Sequence, residues 1–273
     1  MFNKKKIHTV ISRYEEDINW LNNAPLQGVI INKGSYVKTQ NASFVIEQRT
    51  NFGANQYDLC NYIYQNYEQL PELIMFIQGN PFDHCSEHIF YNKVSAGQPC
   101  FMDDAALTAA PNRGWRKSIE IDGGFSEKNN NWYIAEVNKL VFKKFDFVTC
   151  QISSFDEFTS AIFQNYSRLE WLRFAPGSQY IVSPCQCRRY TRNFWKVLRD
   201  FIPTVEGMNG GVEAHILERA LGIIFLGIFD ENININRNEK LIPKGMNFND
   251  NNNFPSKAIR LIRKILKGNY KLN

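Results

Sequence analysis

No apolar run in this 273-residue sequence approaches the length of a membrane span, and no secretory leader opens it. Lys4, Lys5 and Lys6 have no apolar stretch behind them, so nothing directs secretion and the expected location is cytoplasmic. Cysteine is sparse too. The 6 Cys, among them Cys185 and Cys187, sit in a chain long enough to bury a core without staples, and are expected to be reduced thiols. No break in composition divides the chain into equal halves, which predicts one large domain with a tail. The charge imbalance is small, +5, but uneven: basic residues gather at Lys4 to Lys6 and between Lys257 and Lys271. That asymmetry points to an anionic partner. Because those residues lie at the termini, without an aromatic-lined surface, nucleic acid is not expected.

The chain is otherwise rich in core-forming residues, 44% hydrophobic and 14% aromatic, as a globular fold requires. Residues 73–78 are almost all apolar and predict a strand buried on both faces, ended by Gly79-Asn80-Pro81. Asp83 and His84 follow at once. The carboxyl ends of such strands are where open α/β sheets bind ligands, so this pair has two readings. It holds a divalent metal or polar substrate, or Asp83 caps a helix from residue 84 to about residue 92.

Further strands are expected at residues 7–12, 29–32, 44–47, 145–152 and 178–183, and helices at 15–21, 54–67, 155–166, 184–201 and 212–225. Their alternation predicts an α/β fold with a mainly parallel, doubly wound sheet. Arg13 lies at the carboxyl end of the first strand beside Glu15, Glu16 and Asp17, and Lys33-Gly34 at the end of the second. Each reads as a phosphate contact or as a solvated turn. Gly53 permits a tight strand-to-helix turn or close approach of a ligand. Ser183 and Pro184 read as the cap and first residue of the helix that carries Arg188 and Arg189. Residues 99–138 read as loops over the active face, with Trp115, Trp132 and Tyr133 as lid residues or ordinary half-buried aromatics, and Asn129 to Asn131 as a surface loop.

Several segments together resemble the DUF3431 family, whose members look like glycosyltransferases of the GT-A-like, nucleotide-sugar-binding type. They run from Ser12 to Trp20, Asn32 to Gly34, Asn51 to Gly53, Phe76 to His84 and Pro176 to Ser183, closing with Glu218-Arg219, in the family's order and within residues 7 to 226. The resemblance implies a Rossmann-like GT-A domain over residues 1–248, with residues 249–273 as an Asn-rich linker and C-terminal helix. It also implies a glycosyltransferase moving a sugar from a nucleotide-sugar donor to a glycan, lipid-linked or protein acceptor, with Mn or Mg. Donor-binding residues would be Ser12, Arg13, Lys33, Asn51, Gly53, Gln78, Arg188 and Arg189, and metal ligands Asp83 and His84. The base that activates the acceptor hydroxyl would be Glu213, near a helix start, or Glu218, which also reads as an ion pair with Arg219. One departure stands out: the family continues after Asn-x-Gly with Arg-Glu, where this chain has Ala54-Asn55. That substitution favours an alternative reading as a catalytically inactive, transferase-like scaffold. A further alternative is a zinc-supported module built on His84, Cys85, His88, Cys185 and Cys187.

Residues 256–271 show apolar positions at helical spacing, Ala258, Ile259, Leu261, Ile262, Ile265 and Leu266, opposite Lys257, Arg260, Arg263, Lys264 and Lys267. Such a helix docks on the domain or lies on an anionic membrane surface, which would make the protein peripheral to a membrane.

Overall fold

The computed structural model describes residues 6–104, 116–117, 120, 122–131, 152–202, 204, 211–235 and 241. In chain order these form β1 (Ile7–Arg13), β2 (Gln27–Asn32), β3 (Phe44–Gln48), α1 (Asn55–Asn66), β4 (Leu73–Gln78), α2 (Glu87–Ala96) and β5 (Cys100–Phe101). There follow β6 (Arg116–Lys117), β7 (Phe125–Lys128), α3 (Phe155–Ile162), β8 (Trp171–Phe174), β9 (Tyr180–Val182), α4 (Pro184–Arg188), α5 (Arg192–Phe201) and α6 (Gly211–Leu226). The expected strand at residues 145–152, the aromatics Trp115, Trp132 and Tyr133, and the tail from residue 249 lie almost wholly outside the described residues. No helix among the described residues is long and apolar enough to cross a membrane.

The architecture is mixed α/β with a mainly parallel central sheet of order β3-β2-β1-β4-β9-β5. Strands β3, β2, β1 and β4 are parallel, with Val10 opposite Val29 on one side and Phe76 on the other. The run Leu73–Gln78 is apolar throughout because β4 is central and covered on both faces. Val10, Ile74 and Phe76 pack on one face with Leu59, Trp195 and Leu217 from the helices. Ile11, Met75 and Ile77 pack on the other with Leu21, Phe90 and Met102.

β9 runs antiparallel to both β4 and β5, within a sheet that is otherwise parallel as expected. The cause is local. β9 follows β8, a strand of another sheet, through the short 3₁₀ turn Pro176–Ser178, and that turn sets its direction. β8 belongs to a second, antiparallel sheet of order β6-β7-β8, built partly from residues expected to be loop. Ser183 does cap α4 with a capping box and Pro184 in the first turn. The single helix expected over residues 184–201 is broken, however, because Thr191 caps a new one by accepting from the Phe194 N–H.

Candidate functional site at the carboxyl edge of the sheet

In the order β3-β2-β1-β4 the chain leaves β1 toward one side and later returns on the other, so the switch point lies between the carboxyl ends of β1 and β4. Arg13 ends β1, but it is buried and its Nε and Nη1 donate to protein. Nε donates to the Glu16 carbonyl at 2.8 Å, and Nη1 to Asn32 Oδ1 at 2.6 Å and the Tyr14 carbonyl at 2.9 Å. Asn32 in turn donates to Gln48 Oε1 at 2.6 Å. Arg13 thus ties the ends of three strands together and shapes the loop beyond them.

Beside it lies a buried charge cluster centred on Asp58, in the first turn of α1. Lys33 Nζ is 3.0 Å from Asp58 Oδ2 and donates to Ser12 Oγ at 2.9 Å, while the Ser12 hydroxyl donates to Asp58 Oδ2 at 2.6 Å. Arg49, just beyond β3, reaches Asp58 Oδ1 with Nη2 at 2.5 Å. Its guanidinium lies 4.5 Å from the Phe52 ring and 4.8 Å from the Tyr57 ring. Burial pulls the Lys33 ammonium below its usual range, opposed by the Asp58 carboxylate and reinforced by the Arg49 charge. This cluster borders an open cleft of about 700 Å³, lined among others by Tyr14, Glu15, Lys33, Gln48, Arg49 and Asn51.

The Pro176–Ser178 turn closes the other side of the switch point. Gly177 has φ of +70°, and a Cβ there would stand 2.8 Å from His84 and 3.0 Å from Gln78 Nε2, so backbone conformation and close approach both require glycine. Its carbonyl accepts from the Asn55 side chain and its N–H donates to Glu218 Oε1 at 2.7 Å. Gln56 Nε2 donates to Ser178 Oγ at 2.9 Å, and Gln179 Nε2 to the Pro81 carbonyl at 3.2 Å. Segments far apart in sequence, residues 55–56, 78–84, 176–179 and Glu218, therefore meet at one place.

Behind the turn, Arg219 of α6 is buried between Glu218 and Glu127. Its Nε donates to Glu127 Oε1 at 2.9 Å, Nη1 pairs with Glu218 Oε2, and the guanidinium lies 4.4 Å from the Phe174 ring. Burial opposes its charge, but Glu218 and Glu127 outweigh burial and hold it above the ordinary guanidinium range. The ion-pair reading of Glu218 is the one the geometry shows. Glu213 is also buried, on a different face of α6 at roughly 3.6 residues per turn. Neither glutamate lines the cleft beside Arg49 or the one described next.

A second cleft, of about 350 Å³, is lined by Glu16, Asp17, Trp20, Asn80, Phe82 and Asp83. Asp83 is exposed and accepts from Asn80 Nδ2 at 2.7 Å. It does not cap a helix: α2 starts at Glu87 with Ser86 at its N-cap, because residues 81–83 form a separate 3₁₀ turn. His84 lies against Gly177 and is not among the residues that line the cleft of Asp83. Among the described residues no three His, Cys, Asp or Glu side chains come together as a metal site. The zinc alternative fails on placement as well. Cys85 and Cys187 are buried in the cores on opposite faces of the sheet, and Cys185 is exposed.

Arg188 and Arg189 are not brought to this edge. Val182, the last residue of β9, pairs with Ile74 near the start of β4, so α4 emerges at the opposite edge. There Arg188 donates to the carbonyls of Tyr67 and Glu68, and Arg189 to that of Gly227. Sequence reading also passed over Asp58 and Arg49. The available signals were an acid in the first turn of a helix and a cation two residues before Asn51.

A family model described as a protein of unknown function (DUF3431) matches residues 9–240. No curated protein and no solved structure matches the chain.

Proposed function

For a chain that belongs to the DUF3431 family, we propose a glycosyltransferase that moves a sugar from a nucleoside-diphosphate donor to a hydroxyl acceptor. The observation that carries this reading is the pair of clefts flanking the loop after β1. One has an exposed aromatic, Tyr14, with Lys33 and Arg49. The other has two aromatics, Trp20 and Phe82, among Glu16, Asp17 and Asp83. Cations beside an aromatic suit a nucleotide with its phosphates. Aromatic faces ringed by carboxylates suit a sugar, whose C–H faces pack on rings while its hydroxyls donate to the acids. The parallel β3-β2-β1-β4 order with its switch point supports the same placement of ligand.

The leaving diphosphate gains charge as the glycosidic bond breaks, and a positive group at the first cleft would stabilise it. The acceptor hydroxyl must lose its proton, and in this reading Asp83, exposed in the second cleft, accepts it. Glu218 holds the Gly177 turn against Gln78 and His84. The described residues form no metal site of their own. Mn or Mg would enter with the diphosphate and take at most a carboxylate from the protein, a mode such hard cations use commonly.

The test is thermal stabilisation of the full chain by a panel of sugar nucleotides, with and without Mn. A ligand at a hundred times its Kd adds about 2.7 kcal/mol to stability. At least one UDP- or GDP-linked sugar is expected to raise the melting temperature, and silence from all of them sinks the reading. An inactive scaffold is the second reading, favoured by Asn55, whose side chain is spent on the Gly177 carbonyl. It predicts binding without transfer.

A further inference from the structure

We propose that Arg49 is the anion-binding group of the larger cleft and that the ligand there carries a pyrophosphate. The proposal takes from the transferase reading only the placement of the donor in this cleft. The first argument is charge. Lys33 and Arg49 share the single carboxylate of Asp58, and among the described residues no second carboxylate is in ion-pair contact with Arg49. Glu15, which lines the cleft, is turned to the Ser35 N–H and hydroxyl at 2.8 and 2.6 Å. Glu16, held by the Tyr14 N–H at 2.6 Å, acts by its charge on Lys33.

The second argument is hydrogen bonding. Arg49 Nη2 is used by Asp58 and by the Phe52 carbonyl at 3.0 Å. Nε and Nη1 are buried and have no acceptor among the described residues. Buried donors are normally paired, and a guanidinium with spare donors is suited to phosphate oxygens. Phe52 and Tyr57 lie against the guanidinium, and a ligand must displace part of the cover over Nε and Nη1 to reach them. Lys33 differs, because Ser12 and Asp58 already engage its ammonium. The third argument is size: about 700 Å³ lies within the range of small-molecule sites and accommodates a nucleoside diphosphate.

Arg49 brings a guanidinium to the strand-to-helix turn between β3 and α1.

Calorimetric titration of the full chain with inorganic pyrophosphate is the test, run beside the sugar-nucleotide panel. Wild type is expected to bind, and Arg49→Lys, which keeps a cation for Asp58, to bind about tenfold less tightly or worse. Arg49→Gln should bind more weakly still. Arg188→Gln, at the opposite edge, should bind as wild type does. Melting curves of each variant check folding, and if Arg49→Gln does not fold, Arg49→Lys decides. Wild type that ignores pyrophosphate, or Arg49→Lys that binds it fully, overturns the proposal. Arg49-dependent pyrophosphate binding with silence from every sugar nucleotide would uphold this proposal and end the transferase reading. Sugar nucleotides that bind Arg49→Lys at full affinity would do the reverse.

Discussion

Replacing Glu218 with Gln separates a structural carboxylate from a catalytic one. Glu218 Oε1 accepts the Gly177 N–H at 2.7 Å while Oε2 pairs with Arg219. The amide keeps one oxygen for Gly177 but turns an NH₂ toward the guanidinium, so a charged acceptor becomes a facing donor. Removing one partner of a buried pair costs about 3–5 kcal/mol when the remaining charge is stranded. Arg219 is not stranded, since Glu127 stays at 2.9 Å and Phe174 lies beneath it. A loss of roughly 2–3 kcal/mol is therefore expected. In a domain of this size each kcal/mol moves Tm by about 2–4 °C, so the variant should melt roughly 4–12 °C lower. Differential scanning calorimetry, with urea unfolding as a second measure, gives both quantities. An unchanged melting temperature in Glu218→Gln would refute the claim that this triad holds the turn.

Gly177→Ala should cost about 1–2 kcal/mol for its positive φ, and urea unfolding should show it together with a weakened response to any stabilising ligand, because Gln78 and His84 must move aside. Wild-type stability in that variant would contradict the described turn. Asp103, buried beyond β5, accepts the Gly124 N–H at 2.9 Å, and burial raises its carboxyl above the ordinary range despite Lys93. A folded-state pKa above the unfolded value means the unfolded chain gives up its proton first. Stability from this group is complete below the unfolded pKa and declines as pH rises through the folded one. The stability of Asp103→Asn relative to wild type should therefore rise with pH across that acid window and then level off. A difference that is constant with pH would refute this.

The four parallel strands were legible because each is an apolar run ended by a polar or glycine-containing turn, as with Leu73–Gln78 before Gly79. The direction of β9 was not. The strand that delivers the chain to it, Trp171–Phe174, is short, alternates Trp, Leu, Arg, Phe, and pairs only within the second sheet. Missing that strand reversed the edge assigned to Arg188 and Arg189. The site residues at strand ends were legible in position but not in commitment. Arg13 and Lys33 stand where a sequence argument puts them, yet Asn32, Ser12 and Asp58 take up their hydrogen bonds. Asp58 was hidden because an acid in a helix's first turn is ordinary dipole compensation. The roles of Glu213 and Glu218 could not be told apart by periodicity, since α6 is buried nearly all round and has no polar face to mark.

The central claim is where the donor sits, and hydrogen–deuterium exchange locates it directly. The full chain would be measured alone and with whichever sugar nucleotide stabilises it most. The account predicts slowed exchange at residues 13–16, 33–35 and 49–53, the backbone bordering the larger cleft. Slowing confined to residues 184–192, at the opposite edge of the sheet, would contradict it.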